Sequence, residues 1–219
     1  MPIPVLNMAL KFPDARQADE QGLVAVGGDL SVERLLLAYR SGLFPWTVSP
    51  ISWWSPDPRA ILELEKLHIS ESLQKVLRKN SFRVTIDQAF GQVIAQCAKR
   101  APGRSETWIT KEFIEAYTRL HERGHAHSLE CWQEGELVGG IYGVAIGGFF
   151  AGESMFHRVS NASKVALCHL VEHLRKHEFK LLDIQMLTPV TRQMGGLTIS
   201  REEYLLRLKE AVGEKCDFK

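Results

Sequence analysis

From Ala126 the chain reads as three strands in close succession, AHSLECW, ELVGGIYGVAI and FFAGESMF, separated only by EGE and GG. Connections that short force neighbouring strands to run antiparallel, so the three form a meander. A helical pattern from Asn161 to about Lys176 follows, and then a short apolar strand, KLLDIQML. Strand, helix and strand at this length make a βαβ unit, whose two strands lie parallel and adjacent with a right-handed crossover. The C-terminal part is therefore expected to be built on a mixed sheet, in an α+β protein.

Upstream, VAVGGDLSVERLLLAYR (Val24 to Arg40) turns at two glycines and enters a helix capped by Asp29 or Ser31, with Leu35, Leu36 and Tyr39 at helical spacing and Gly42 ending it. GGDL is a turn and cap, since no GK[ST] follows to make a phosphate loop. The next seventeen residues, LFPWTVSPISWWSPDPR, hold four prolines and three tryptophans. That is loop composition with unusual aromatic content. A boundary near residue 62 is expected, dividing a small N-terminal domain (1–62) from a larger one (63–219). Beyond it, Ile69 to Lys79 reads as an amphipathic helix, FRVTID from Phe82 as a strand, Gln88 to Lys99 as a helix, RAPGRSE from Arg100 as a polar loop, and Lys111 to Arg123 as a helix stopped by Gly124; a final helix begins near Arg201. The order resembles the fold best known from the N-acetyltransferases.

Asp183 and Gln185 stand two apart, on one face of an otherwise apolar strand. A buried carboxylate is costly unless partnered. A structural Asp bonded to backbone would show the same pattern. Glu153, on the neighbouring strand, adds a second acid. Two carboxylates near one cleft suit holding an ammonium and accepting a proton from an attacking amine. Ser154 in GESMF lacks the second glycine and the strand-turn-helix elbow of a hydrolase nucleophile. His125 and His127 share a strand face but suggest no third metal ligand, and Cys97, Cys131, Cys168 and Cys216 form no CxxC pair, so no metal site is expected. HRVSNAS, before the helix at Asn161, has no glycine to cradle the pyrophosphate of coenzyme A.

Net charge is only +1, so any nucleic-acid contact needs a local patch. Lys75, Arg78 and Lys79 supply one at i, i+3 and i+4 of a single helix, a pattern also common on a solvated helix face. Trp46, Trp53, Trp54 and Trp108 offer planes on which bases stack, although tryptophan also favours burial. The start, MPIPVLNMALKFPDAR, lacks the basic and then apolar order of a signal peptide, and no run reaches 18 apolar residues. A cytoplasmic chain with no membrane association is expected.

LFPW at Leu43, WWSPDPRA at Trp53, HIS at His68, AFGQVI at Ala89, TWIT at Thr107, GHAHS at Gly124, LVGGIYGVA at Leu137, GESMF at Gly152, NASK at Asn161 and LDIQ at Leu182 together resemble, in order, the leucyl/phenylalanyl-tRNA-protein transferases. The resemblance implies a small N-terminal domain on an acetyltransferase-like C-terminal domain, with the 3′ end of an aminoacyl-tRNA between them and no cofactor. It implies transfer of Leu or Phe (and leaves Met open) to acceptor proteins beginning with Arg or Lys, marking them for the degradation machinery of the N-end rule. Carried over by position, it implies catalytic roles for Asp183, Gln185 and Glu153, adenosine contacts for Trp46 and Trp108, and tRNA contacts for Lys75, Arg78 and Lys79, with Glu71 where an arginine is expected. The apolar pocket for the aminoacyl side chain falls on Ile141, Phe150, Leu170 and Leu182, with Ile141 and Leu170 replacing an expected Met and Phe. Val190 and Gln193 stand in place of an expected His and Ser.

Overall fold

The computed structural model describes residues 2–99 and 107–219; the RAPGRSE loop lies outside the described residues. A small sheet collects β1 (Val5–Leu6), β2 (Leu23–Gly27), β3 (Phe44–Val48) and β4 (Ile51–Trp54) in the order β1-β2-β4-β3. Between β2 and β3 runs α1 (Val32–Arg40), capped by the Ser31 side chain, which accepts from the Arg34 backbone N–H, while Asp29 accepts from the N–H of Ser31 and from the Arg34 guanidinium. Gly42, at φ +80°, turns the chain out of the helix.

The proline- and tryptophan-rich segment is a hairpin and not the loop its composition suggests. Pro45 is tolerated because β3 is an edge strand, where a missing N–H costs no ladder bond. Trp53 is fully buried and its indole N–H donates to the Gly27 carbonyl at 2.9 Å, so the aromatic content serves a half-buried pleat.

The larger sheet draws on β5 (Arg59–Leu62), β6 (Arg83–Ile86), β7 (Ala126–Gln133), β8 (Glu136–Ile146), β9 (Phe149–His157), β10 (Leu181–Gln185) and β11 (Leu197–Ile199), in the order β11-β5-β10-β9-β8-β7-β6. β7, β8 and β9 form the antiparallel meander, and β10 pairs with β9 in parallel after the crossover through α5 (Ala162–Lys176). The class is α+β with a mixed sheet. The remaining helices are α2 (Glu71–Lys79), α3 (Phe90–Cys97), α4 (Lys111–Glu122), α6 (Pro189–Gln193) and α7 (Arg201–Gly213). No helix among the described residues is long and apolar enough to cross a membrane.

The change of sheet falls between Trp54 and Arg59, ahead of the boundary expected near residue 62. All four residues of β5 are buried, and the strand lies between β10 and β11 in the large sheet. One apolar cluster joins the two sheets, combining Leu35, Tyr39 and Trp53 with Phe113, Tyr117, Tyr142 and Phe149. A second cluster lies beneath α5 on the other face and contains Ile141, Phe150, Leu170 and Leu182. The short α6 and β11 carry too few residues for a periodicity to announce them, although Thr188 caps α6 with Pro189 at its first position.

Candidate active site

Two irregularities in neighbouring strands make the site. β9 follows β8 in register as far as Ser154 opposite Tyr142 and resumes with Gly152 opposite Gly143, so Glu153 is the extra residue of a bulge. Bulges bend a strand and re-aim the side chain they carry. On β10, pairing with β9 ends at Asp183 opposite Ala151, pairing with β5 shifts between Asp183 and Gln185, and Gln185 has φ +56°. Beyond that point the two parallel strands are no longer paired. A cleft of about 720 Å³ opens there, lined by Gly152 to Met155 of β9 and by Leu182, Ile184 and Gln185 of β10.

Glu153 and Gln185 meet at the cleft floor, where Gln185 Nε2 donates to Glu153 Oε1 at 2.8 Å. The Tyr39 hydroxyl donates to Oε1 at 2.8 Å and the Tyr117 hydroxyl to Oε2 at 3.1 Å, and the two hydroxyls also touch each other. Burial pushes the Glu153 carboxyl up to about 7; the negative charge of Asp183 adds to the rise, while the bonds from Tyr39, Tyr117 and Gln185 oppose it. Burial and the nearby Glu153 push both phenols well above their ordinary range, so they remain protonated donors. The result is a carboxyl group poised to gain or lose a proton near neutrality, beside an amide whose oxygen is not used by Glu153.

Asp183 is placed differently. It is fully buried, does not line the cleft, and has both oxygens occupied. Arg59 Nε donates to Oδ1 at 2.9 Å and Nη2 to Oδ2 at 2.6 Å; the Tyr204 hydroxyl adds a bond to Oδ2 and the Gln185 backbone N–H one to Oδ1, both 2.9 Å. The sequence pattern puts Asp183 and Gln185 together against the substrate. The structure points Asp183 into the protein, where it holds Arg59 and the turn that presents Gln185. The cost of burying this carboxylate is met by a paired guanidinium with two bonds to it.

Of the four expected pocket residues, Ile141 and Leu182 line the cleft, joined by Met155, Leu167, Ile184 and Val190. Phe150 and Leu170 lie one layer behind, with no exposed surface. Val190, flagged as a departure, is thus part of the apolar wall. Trp108 lines the cleft and also a neighbouring recess of about 450 Å³, whose other walls include Trp46, Thr47 and Thr110. Trp108 packs edge-on against Phe113 at 5.2 Å and Trp46 against Trp54 at 5.5 Å, so both indoles are braced from behind. Lys75, Arg78 and Lys79 are exposed on α2, outside the cleft.

Tyr39, Tyr117, Arg59 and Tyr204 escape the sequence reading. Tyr39 is visible there only as an apolar position of α1, and Arg59 only as part of the proline-rich segment. Their partners lie 114 and 124 residues away along the chain.

Comparison with known proteins identifies the family. Residues 61–209 match the family model of the leucyl/phenylalanyl-tRNA protein transferases, and residues 28–57 match the model of that family's N-terminal domain. A leucyl/phenylalanyl-tRNA–protein transferase of Syntrophobacter fumaroxidans is 54% identical over 98% of this chain and 93% of its own length. One from an Anaeromyxobacter species is 50% identical over 94% of this chain and 89% of its own. Among solved structures, a GCN5-related N-acetyltransferase from Kribbella flavida superposes with a TM-score of 0.41 at 9% identity, over 75% of this chain and 60% of that one. With its two family models matched in order and such relatives half identical along almost all of its length, the chain belongs to the leucyl/phenylalanyl-tRNA protein transferase family.

Proposed function

We propose that this protein transfers leucine or phenylalanine from an aminoacyl-tRNA to the α-amine of an acceptor protein beginning with Arg or Lys, in the cytoplasm, so that the product is recognised by the degradation machinery. The observation that carries the proposal is the single cleft in which an apolar wall, the Glu153 and Gln185 pair and an indole-lined recess adjoin. The aminoacyl side chain fits the wall of Ile141, Leu167 and Leu182, and the terminal adenosine fits between Trp46 and Trp108.

The reaction is aminolysis of an activated ester. The amine nitrogen forms a bond to the carbonyl carbon, the bond from that carbon to the ribose oxygen breaks, and one amine proton ends on that oxygen. Alignment of the two substrates alone supplies on the order of 7 kcal/mol. An α-amine with a pKa of about 8 is partly neutral at pH 7 and needs modest help. Gln185, through its free amide oxygen, orients the amine; Glu153, as carboxylate, accepts the proton and returns it to the departing oxygen. Asp183 acts through Gln185, as a positioning residue. No cofactor enters this scheme.

Single-turnover transfer of radiolabelled leucine or phenylalanine from charged tRNA to a peptide beginning with Arg tests the proposal; no labelled peptide from either donor would overturn it. The tRNA body is assigned to the exposed face of Lys75, Arg78 and Lys79. Replacing all three by Ala should lower the slope of log affinity against log salt by about two units, the value for three lost phosphate contacts on a largely single-stranded or short helical segment. Transfer from a minimal aminoacyl-adenosine ester should be nearly unchanged, since it has no phosphate to lose. An equal loss on the minimal donor and on full tRNA would show the cluster to be a solvated helix face.

A further inference from the structure

Behind the apolar wall stands a second layer that the cleft does not expose. Phe150 is fully buried and pairs in register with Leu182, which lines the cleft. Its ring lies along the sheet over the bare backbone of Gly143: a Cβ at 143 would stand 2.4 Å from Phe150 Cε1 and 2.7 Å from Cζ. Gly143 is two residues from Ile141 on β8, so the ring reaches along the strand toward the cleft lining.

Phe218 closes the opposite side. Its ring stacks on Phe150 at 5.4 Å and 24°, and on His127 at 4.1 Å and 16°, with Phe179 edge-on at 6.1 Å. The carbonyl of Phe218 accepts a bond from His173 Nε2 at 2.6 Å, and His127 is itself bonded to Asp87 at 2.7 Å. Phe218 is only 3% exposed, although it belongs to the segment after α7 that has no regular structure. A ring held on three sides is a fixed wall, and Phe150 is confined between it and the residues of the cleft.

We infer that Phe218 is a specificity-determining residue: it sets the depth of the pocket for the transferred side chain by fixing where the Phe150 ring can lie. The inference rests on the aminoacyl-transfer reading above. Interiors are close-packed, so space opened on one side of a ring is taken up by movement toward it, and extra volume drives the ring the other way. One methylene in such a pocket changes discrimination by about tenfold or more.

The experiment compares leucyl-, phenylalanyl- and tryptophanyl-adenosine esters as donors to a peptide beginning with Arg, for the parent, Phe218→Ala and Phe218→Trp. Phe218→Ala should raise kcat/KM for Phe relative to Leu on the order of tenfold and admit Trp, whereas Phe218→Trp should lower the Phe to Leu ratio by a similar factor. Opposite signs are the signature, because damage to the fold lowers all donors alike. An unchanged ratio in both variants, or a uniform loss in both, overturns the inference. A second readout does not need turnover: the methyl resonances of Ile141 and Leu182 should shift in both variants, and unmoved resonances overturn it equally. If the parent itself transfers nothing from any donor, the aminoacyl-transfer reading fails, while the methyl shifts still report whether Phe218 sets the pocket.

Discussion

Glu153→Gln is expected to slow transfer by about two to four orders of magnitude, the usual worth of a positioned acid-base group, while leaving a folded protein. The glutamine keeps one oxygen for the Tyr39 hydroxyl and the Gln185 amide. Its NH2 takes the place of Oε2 and donates to the Tyr117 hydroxyl, which turns its own proton toward Tyr39, so the packing beneath the cleft persists and only proton transfer is lost. The pH dependence separates this role from a structural one. Burial raises the Glu153 carboxyl to about 7 in the folded state, above its ordinary value near 4.5. Between those values the folded protein binds a proton that the unfolded chain does not. The stabilising contribution of protonated Glu153 is therefore fully present below about pH 4.5 and is lost as pH rises through 7. Parent stability, measured against that of Glu153→Gln, should decline over this window. The parent's transfer rate should climb across the same upper limit, because the carboxylate is the working form. A parent whose stability relative to Glu153→Gln does not vary between pH 4.5 and 7 would remove Glu153 from this role.

Asp183→Asn is expected to have an equally large effect for a different reason. The substitution removes the charge facing Arg59, which is 1% exposed, and leaves a buried guanidinium uncompensated. Breaking one side of such a pair costs about 3–5 kcal/mol. For a chain of this size that lowers the melting temperature by roughly 6–20 °C. Transfer should fall as well, since the Gln185 N–H loses its ionised acceptor and the turn at φ +56° loses its anchor. The check is a double-mutant comparison: Asp183→Leu combined with Arg59→Met should recover much of the thermal stability without recovering transfer. An Asp183→Asn protein with parental melting temperature and strongly reduced transfer would place Asp183 directly at the reacting amine.

Much of the molecule is encoded locally. The meander from Ala126, the crossover helix and the parallel strand at Leu181 follow from apolar periodicity and turn length, and Ser31 and Gly42 mark the ends of α1 as their chemistry demands. Asp183, Gln185 and Glu153 stand out because polar groups are rare in otherwise apolar strands. The hairpin of Phe44 to Trp54 was hidden by its prolines, which are harmful in central strands but acceptable at the edge position that β3 occupies. Composition also could not tell which polar residue reaches the cleft: alternation puts Asp183 and Gln185 on one side, and the bulge at Glu153 and the register shift at Ile184, set by neighbouring strands, decide it. Two partners of these groups are more distant still, since Tyr39 comes from α1 and Arg59 from β5, 114 and 124 residues away. Periodicity records which side of an element is buried, because burial depends on the residue and its near neighbours. What a buried charge is paired with depends on segments more than a hundred residues apart being folded against one another, and no local pattern carries that information.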